Sequence, residues 1–190
     1  MKKWQLRAKI YYWFRKVFPI NLFFAEETDN LLDLLKRVTN QPKNILDLGT
    51  GIGDTLKYLP IGERRVLLDF SPAMLANAPA FPGDQKIIGD ILQMPVKQQK
   101  FDLITCIGVS EYIYEKAVLL EQIYDSLNPE GFAIITFSPK NMITRLRKLL
   151  GKRIYPLSGS TAHDLIAARG FYLVWVYKSA MQSQYLVQKL

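Results

Sequence analysis

Residues 45–54 read ILDLGTGIGD: a short apolar run containing Asp47, then Gly49, Gly51 and Gly53 two apart, closed by Asp54. Glycines that follow a buried strand let a nucleotide approach the backbone where a Cβ would obstruct it. Their spacing excludes the commonest nucleotide loops. A dinucleotide fingerprint begun at Gly49 demands Gly or Ala at position 54, where Asp54 stands, and one begun at Gly51 meets Leu56. No GK[ST] follows to make a phosphate loop. Asp47 and Asp54 bracket the turn with negative charge, which opposes a pyrophosphate and suits a ligand carrying positive charge.

Outward from this stretch the pattern alternates. NILDLG reads as a strand, GDTLKYL as a short helix, RRVLLDF as a strand, SPAMLANA as a helix started by Ser71 and Pro72, and KIIGD and FDLITCIG as strands. Ser110 to Leu127 reads as one helix, with Ile113, Ala117, Leu120, Ile123, Tyr124 and Leu127 on one face, stopping before the turn NPEG. GFAIITF is the next strand. Asn141 to Leu150 and Thr161 to Arg169 read as helices, the second with Thr161 and Asp164 in capping-box spacing and Gly170 at its end. FYLVWVYK and SQYLVQKL close the chain as a strand pair, mutually antiparallel because their connection is short. The expected fold is α/β: a seven-stranded, mostly parallel, Rossmann-like sheet with helices on both faces and an antiparallel last strand. Ligands of such sheets sit at the carboxyl ends of the strands.

The acids fall where a cationic nucleoside needs them. Asp69 ends the second strand, where a carboxylate accepts hydrogen bonds from both hydroxyls of a ribose, and Asp90 ends the third, placed to accept from an adenine amino group. S-adenosylmethionine combines a sulfonium, an amino group, a ribose diol and an adenine without phosphate. The ordered set ILDLGTGIGD, LLDFSPAML, IIGDILQMP, FDLITCIGVSEYI and LNPEGFAIITF resembles the class I S-adenosylmethionine-dependent methyltransferases, especially their small-molecule branch, over about Asn44 to Ser138. The resemblance implies that Asp47, Gly49, Gly51 and Gly53 hold the methionine end, Asp69 the ribose, Asp90 and the backbone at Ile91 the adenine, and Gly108 the floor beneath the sulfonium, with Phe70 also in the cofactor site. S-adenosylhomocysteine is the implied product; a small, hydrophobic molecule is the leading acceptor, with RNA methylation through the basic clusters, or cofactor binding without catalysis, as the alternatives.

The catalytic group is not fixed by the sequence. Methyl transfer is an in-line displacement that needs alignment, exclusion of water and sometimes removal of a proton. Glu111 after the fourth strand, Tyr155 in the later linker and His163, the single histidine, are the candidates. Cys106, the single cysteine, falls within a core strand and reads as a small buried residue rather than a nucleophile. No His and carboxylate cluster suggests a metal. The fourth strand runs into CIGVSEY rather than an NPPY-type tetrapeptide, so methylation of a nucleic-acid base lacks its best signature.

One domain suffices for 190 residues, divided here into an N-terminal lid or cap over 1–40 and a catalytic domain over 41–190. A lone cysteine suits a reducing compartment, and Arg7, Lys9, Arg15 and Lys16 interrupt any secretion-signal apolar run, so a retained, cytoplasmic protein is expected. The net charge of +8 is concentrated in Lys2, Lys3, Arg7, Lys9, Arg15 and Lys16 and again in Lys140, Arg145, Arg147, Lys148, Lys152 and Arg153. Such clusters meet phosphate on lipid or RNA, or are solvated helix faces. Leu6, Ile10, Trp13, Phe14 and Val17 have helical spacing beside Lys2, Lys9 and Lys16, which leaves two roles open for residues 2–18: a lid over the cofactor cleft, or peripheral contact with an anionic membrane. Oligomeric state is not legible.

Overall fold

A computed structural model of the chain describes residues 20–96, 100–151 and 153–190. The N-terminal segment assigned above as lid or membrane contact, residues 2–18, lies outside the described residues. Chain order is α1 (Ile20–Lys36), β1 (Asn44–Leu48), β2 (Arg64–Asp69), α2 (Pro72–Asn77), β3 (Asp84–Ile88), β4 (Phe101–Cys106), a single 3₁₀ turn (Ser110–Tyr112), α3 (Lys116–Ser126), β5 (Leu127–Phe137), α4 (Met142–Leu149), α5 (Gly159–Ala168), β6 (Phe171–Lys178) and β7 (Ser183–Lys189). The strands form one seven-stranded sheet in the order β3-β2-β1-β4-β5-β7-β6. β1 to β5 pair in parallel, and β7 runs antiparallel to both β5 and β6. The expected single reversed strand is therefore the last in the chain, inserted between its two neighbours.

Alternation along the strands divides the core in two. Leu46, Leu48, Val66, Leu68, Ile104 and Ile135 face α3 and α5 through Leu119, Leu120, Ile123, Ala162 and Ile166. Ile45, Leu103, Phe132, Ile134 and Leu186 face the other way, onto Leu31 and Leu34 of α1. Successive residues of a strand point to opposite faces, so a strand buried on both sides reads as an unbroken apolar run. That run places Asp47 and Thr105, paired in register across β1 and β4, among buried apolar neighbours.

Several local expectations are corrected. GDTLKYL forms successive turns rather than a helix, with Leu56 N–H on Gly53 and Tyr58 N–H on Thr55, because Gly53 and Pro60 leave too few residues between them to nucleate α-helix. The helix expected from Ser110 to Leu127 is broken: the 3₁₀ turn ends at Ile113, which is extended (φ −93°, ψ 128°), and α3 starts only at Lys116. Leu127 already belongs to β5, and NPEG is a bulge inside that strand, where the register against β4 jumps and Glu130 adopts φ 61°. Asp90 lies beyond β3, which ends at Ile88. α5 is capped by Ser158, whose hydroxyl accepts from Thr161 N–H at 3.1 Å, so Thr161 is the third helical residue and not the cap. Ser71 starts α2 as expected, its side chain accepting from Met74 N–H, and Asn141, read as the first residue of a helix, is instead the cap of α4, its side chain accepting from Thr144 N–H.

Candidate active site

The ILDLGTGIGD turn carries the backbone from β1 across the carboxyl ends of β1, β2 and β4. Gly49 has φ +67° and Gly51 φ +58°, both in the left-handed region that favours glycine, but they need it for different reasons. A Cβ on Gly49 would fall 2.6 Å from Val109, inside protein; Gly53 is similarly enclosed, by Pro79 and Leu56. A Cβ on Gly51 would meet nothing closer than the Met74 methyl at 3.6 Å, and one on Gly108 would meet nothing within 4 Å. Gly49 and Gly53 therefore make the turn, whereas Gly51 and Gly108 leave space in front of it.

Charge surrounds that space. Asp69 is buried, with one carboxylate oxygen accepting from Gly51 N–H at 2.8 Å and the other from Ser71 N–H at 2.8 Å. It ties the glycine loop to the start of α2, and each oxygen keeps a second lone pair for a diol. Phe70, next in the chain, is 66% exposed at the rim of the strands. Asp47 is buried, accepts from the Thr105 hydroxyl at 2.6 Å through one oxygen, and leaves its other oxygen without a partner. Burial pushes its carboxyl up to about 6, against the hydrogen bond from Thr105. An orphaned buried acceptor beneath a glycine cradle matches a cationic ligand group above it. These residues fit S-adenosylmethionine.

Asp90 is exposed and accepts from Leu92 N–H at 2.8 Å, so one of its oxygens shapes the turn after β3. The Ile91 side chain is buried in the core. Gly108 is held from behind, its N–H donating to the Thr136 hydroxyl at 2.9 Å, while Ser110 Oγ donates to the Thr136 carbonyl. The end of β5 thus fixes the loop after β4.

The three catalytic candidates do not converge on one atom. Glu111 is buried with both oxygens engaged, one by Arg147 of α4 at 2.6 Å and the other by the Ser138 hydroxyl; Arg147 also reaches Ser138 at 3.2 Å. Tyr155 donates its backbone N–H to the Glu111 carbonyl at 2.8 Å, and its ring stacks edge-on against Tyr114 at 5.3 Å. His163 sits exposed on α5, edge-on to Tyr185 at 5.8 Å. Cys106 is fully buried in β4, and burial pushes its thiol up, away from nucleophile chemistry. Two further groups carried no sequence signal. Arg147 was visible only as one member of a basic cluster, and Lys116 only as a helix residue, yet Lys116 is buried, donates to the Ile113 carbonyl at 2.6 Å and has its ammonium pushed down to about 8 by burial. Tyr114, Lys116, Lys148, Tyr155 and Leu165 line a cleft of about 480 Å³ beside this network.

The comparisons with known proteins agree with this arrangement. Residues 46–135 match the family model described as a methyltransferase domain. The chain is 34% identical over 131 residues to the demethylmenaquinone methyltransferase of Thermus thermophilus, covering 62% of this chain and 59% of that one. It shares its fold with the magnesium protoporphyrin IX methyltransferase of Synechocystis PCC 6803, solved with bound S-adenosylhomocysteine (TM-score 0.72, 18% identity, 90% of this chain and 85% of that one). The N-methyltransferase of Bradyrhizobium japonicum in complex with S-adenosylhomocysteine is similar in the same way (TM-score 0.74, 19% identity, 93% and 91%). The chain spans between 32% and 59% of the length of the curated relatives it matches. These matches give the chain a methyltransferase domain over residues 46–135 and, with the sheet order, the fold that S-adenosylmethionine-dependent methyltransferases share.

Proposed function

We propose that this chain binds S-adenosylmethionine at the carboxyl ends of β1, β2 and β4 and directs its methyl group to a small, hydrophobic acceptor. The observation that carries the reading is the open space over Gly51 and Gly108, flanked by the unpaired oxygen of Asp47 and by Asp69. When bound, the cofactor supplies an activated methyl group on a sulfonium. The chain's own part is to hold and orient. Asp69 receives the ribose hydroxyls, Phe70 covers one face of the adenine with Asp90 and the Ile91 backbone at its edge, and Asp47 balances the charge of the methionine end. Gly108, fixed by Thr136, keeps the path to the methyl group free of side chains.

Alignment and exclusion of water supply most of the rate in this proposal, with no single side chain indispensable. Glu111 is then a positioning residue, because its carboxylate is already bound to Arg147 and Ser138. The residues preceding α1 serve as the lid: deleting residues 1–18 leaves cofactor binding intact and collapses turnover of a water-soluble acceptor. Persistence of that turnover would remove the lid from the account. The decisive experiment for the function is release of S-adenosylhomocysteine on incubation with S-adenosylmethionine and a panel of hydrophobic phenols, quinols and carboxylic acids. Acceptor-dependent release is the expected result. Binding without release for any acceptor would leave a cofactor-binding protein, and salt-sensitive RNA binding with RNA-dependent release would move the acceptor to nucleic acid.

A further inference from the structure

α4 carries the second basic cluster of the sequence, and its two faces are unlike. Its inner face is anchored, Thr144 fully buried and Arg147 held by Glu111 and Ser138, while Asn141 donates to the Ala180 carbonyl at 2.7 Å. Its outer face is apolar and uncovered: Met142 is 73% exposed, Leu146 57%, Leu149 84% and Leu150, its cap, 74%. At 3.6 residues per turn these four side chains fall within about 100° of arc, with the exposed Arg145 and Lys148 together on one flank. Four large apolar side chains in a row are more than the scattered exposure of an ordinary surface.

We infer that α4 is an interfacial helix that docks the protein on an anionic lipid surface, with Leu146, Leu149 and Leu150 entering the headgroup boundary and Arg145 and Lys148 meeting lipid phosphate. Charge complementarity selects this occupant. An apolar row bordered by cations fits a surface that offers hydrocarbon beneath negative charge, whereas a second copy of this basic chain would set like charges against one another. Tyr114, exposed and sharing a cleft with Lys148, adds an aromatic side chain of the kind that settles at a membrane interface. Among the described residues no helix is long and apolar enough to cross a membrane, so the contact lies on the surface and does not span it. The rigid tie from Arg147 to Glu111 joins this surface to the 3₁₀ turn after β4. Docking there turns the cleft beside Tyr114 and Tyr155 toward the lipid. The inference does not depend on methyl transfer.

The test is sedimentation of the full chain with equimolar phosphatidylglycerol and phosphatidylcholine vesicles, against phosphatidylcholine vesicles alone. The chain should bind the anionic vesicles, more weakly as salt rises. Leu146→Ser with Leu149→Ser should reduce partitioning at least about tenfold, and Arg145→Gln with Lys148→Gln about 25-fold, at roughly fivefold per cation. These side chains are exposed, so the urea midpoint should stay unchanged in both variants, which keeps misfolding from imitating the result. A wild-type chain that ignores anionic vesicles, or binds both kinds equally, overturns the inference. Equally, if replacing Lys2, Lys3, Arg7 and Lys9 abolishes binding while both α4 variants retain it, the docking surface belongs to the N-terminal segment. A dimer that Leu146→Ser with Leu149→Ser dissolves, in the absence of vesicle binding, would make this face a contact between copies.

Discussion

The glycine turn after β1 and the helix after β5 both stand at the carboxyl end of the sheet, but they are built on opposite principles. The turn is backbone: Gly49 and Thr50 donate their N–H groups to the Leu68 carbonyl and Gly51 donates to Asp69, and the glycines divide the work of shaping the loop and leaving room before it. The α4 region is side chain: a largely buried Glu111–Arg147 pair, shared with the Ser138 hydroxyl, joins α4 to the 3₁₀ turn after β4. Backbone devices demand particular residues at fixed spacing, so the cofactor half repeats across a family. A side-chain tie can be made by many residue pairs, so the acceptor half is where this chain becomes individual.

The comparison breaks most readily at Gly49. Gly49→Val should destabilise the protein by about 2 to 6 kcal/mol, combining left-handed backbone strain with overpacking against Val109, as read from urea unfolding. Gly51→Val adds only the strain, about 1 to 3 kcal/mol. Equal losses at the two positions would erase the distinction between turn-making and space-leaving glycines.

Asp47 sharpens it in the opposite direction. Its carboxyl sits at about 6 in the folded protein against an ordinary 3.8, so the folded state holds a proton that the unfolded state has lost between those values. Stability from this group therefore falls as pH rises from about 4 to 6, by about 3 kcal/mol at most. Asp47→Asn should be more stable than wild type at pH 7 and indistinguishable at pH 4, while binding cofactor more weakly. A constant difference across that range would show that the carboxyl titrates normally. In the α4 region, Glu111→Gln should cost about 2 to 3 kcal/mol, less than a fully buried broken pair because Arg147 keeps partial solvent contact. Its effect on turnover should follow that loosening and carry no new pH dependence. If the wild-type rate instead falls as pH drops through the carboxylate range and Glu111→Gln abolishes that limb, Glu111 is a general base.

Smaller again is His163→Ala, which replaces an exposed ring resting on Tyr185 and should change stability by no more than about 0.5 kcal/mol and keep most turnover. A several-hundredfold loss of turnover with cofactor still bound would return His163 to the reaction.

The same contrast explains what the sequence disclosed. β1, β2 and β4 were legible because strands buried on both faces are continuous apolar runs, and the glycine spacing excluded other nucleotides before any fold was known. Asp69 was legible as an acid at a strand end, although its grip on Gly51 N–H was not, since that contact spans 18 residues of chain. Illegible were the break at Ile113, the strand start at Leu127 and the Glu111–Arg147 pair, all set by tertiary contacts. Periodicity carried Ile113 to Leu127 as one helix because the apolar face continues through the break. Nothing local marks Arg147 among its basic neighbours as the one turned inward.

The most direct test of the cofactor half is calorimetric titration of S-adenosylhomocysteine into wild type, Asp69→Ala and Gly51→Val. Wild type should bind, Asp69→Ala should lose about 1.5 to 3 kcal/mol as a charge-assisted acceptor is removed, and Gly51→Val should lose binding while remaining folded. Undiminished affinity in Gly51→Val would contradict the account, because the ligand would then lie elsewhere than over the one turn that the glycines hold open.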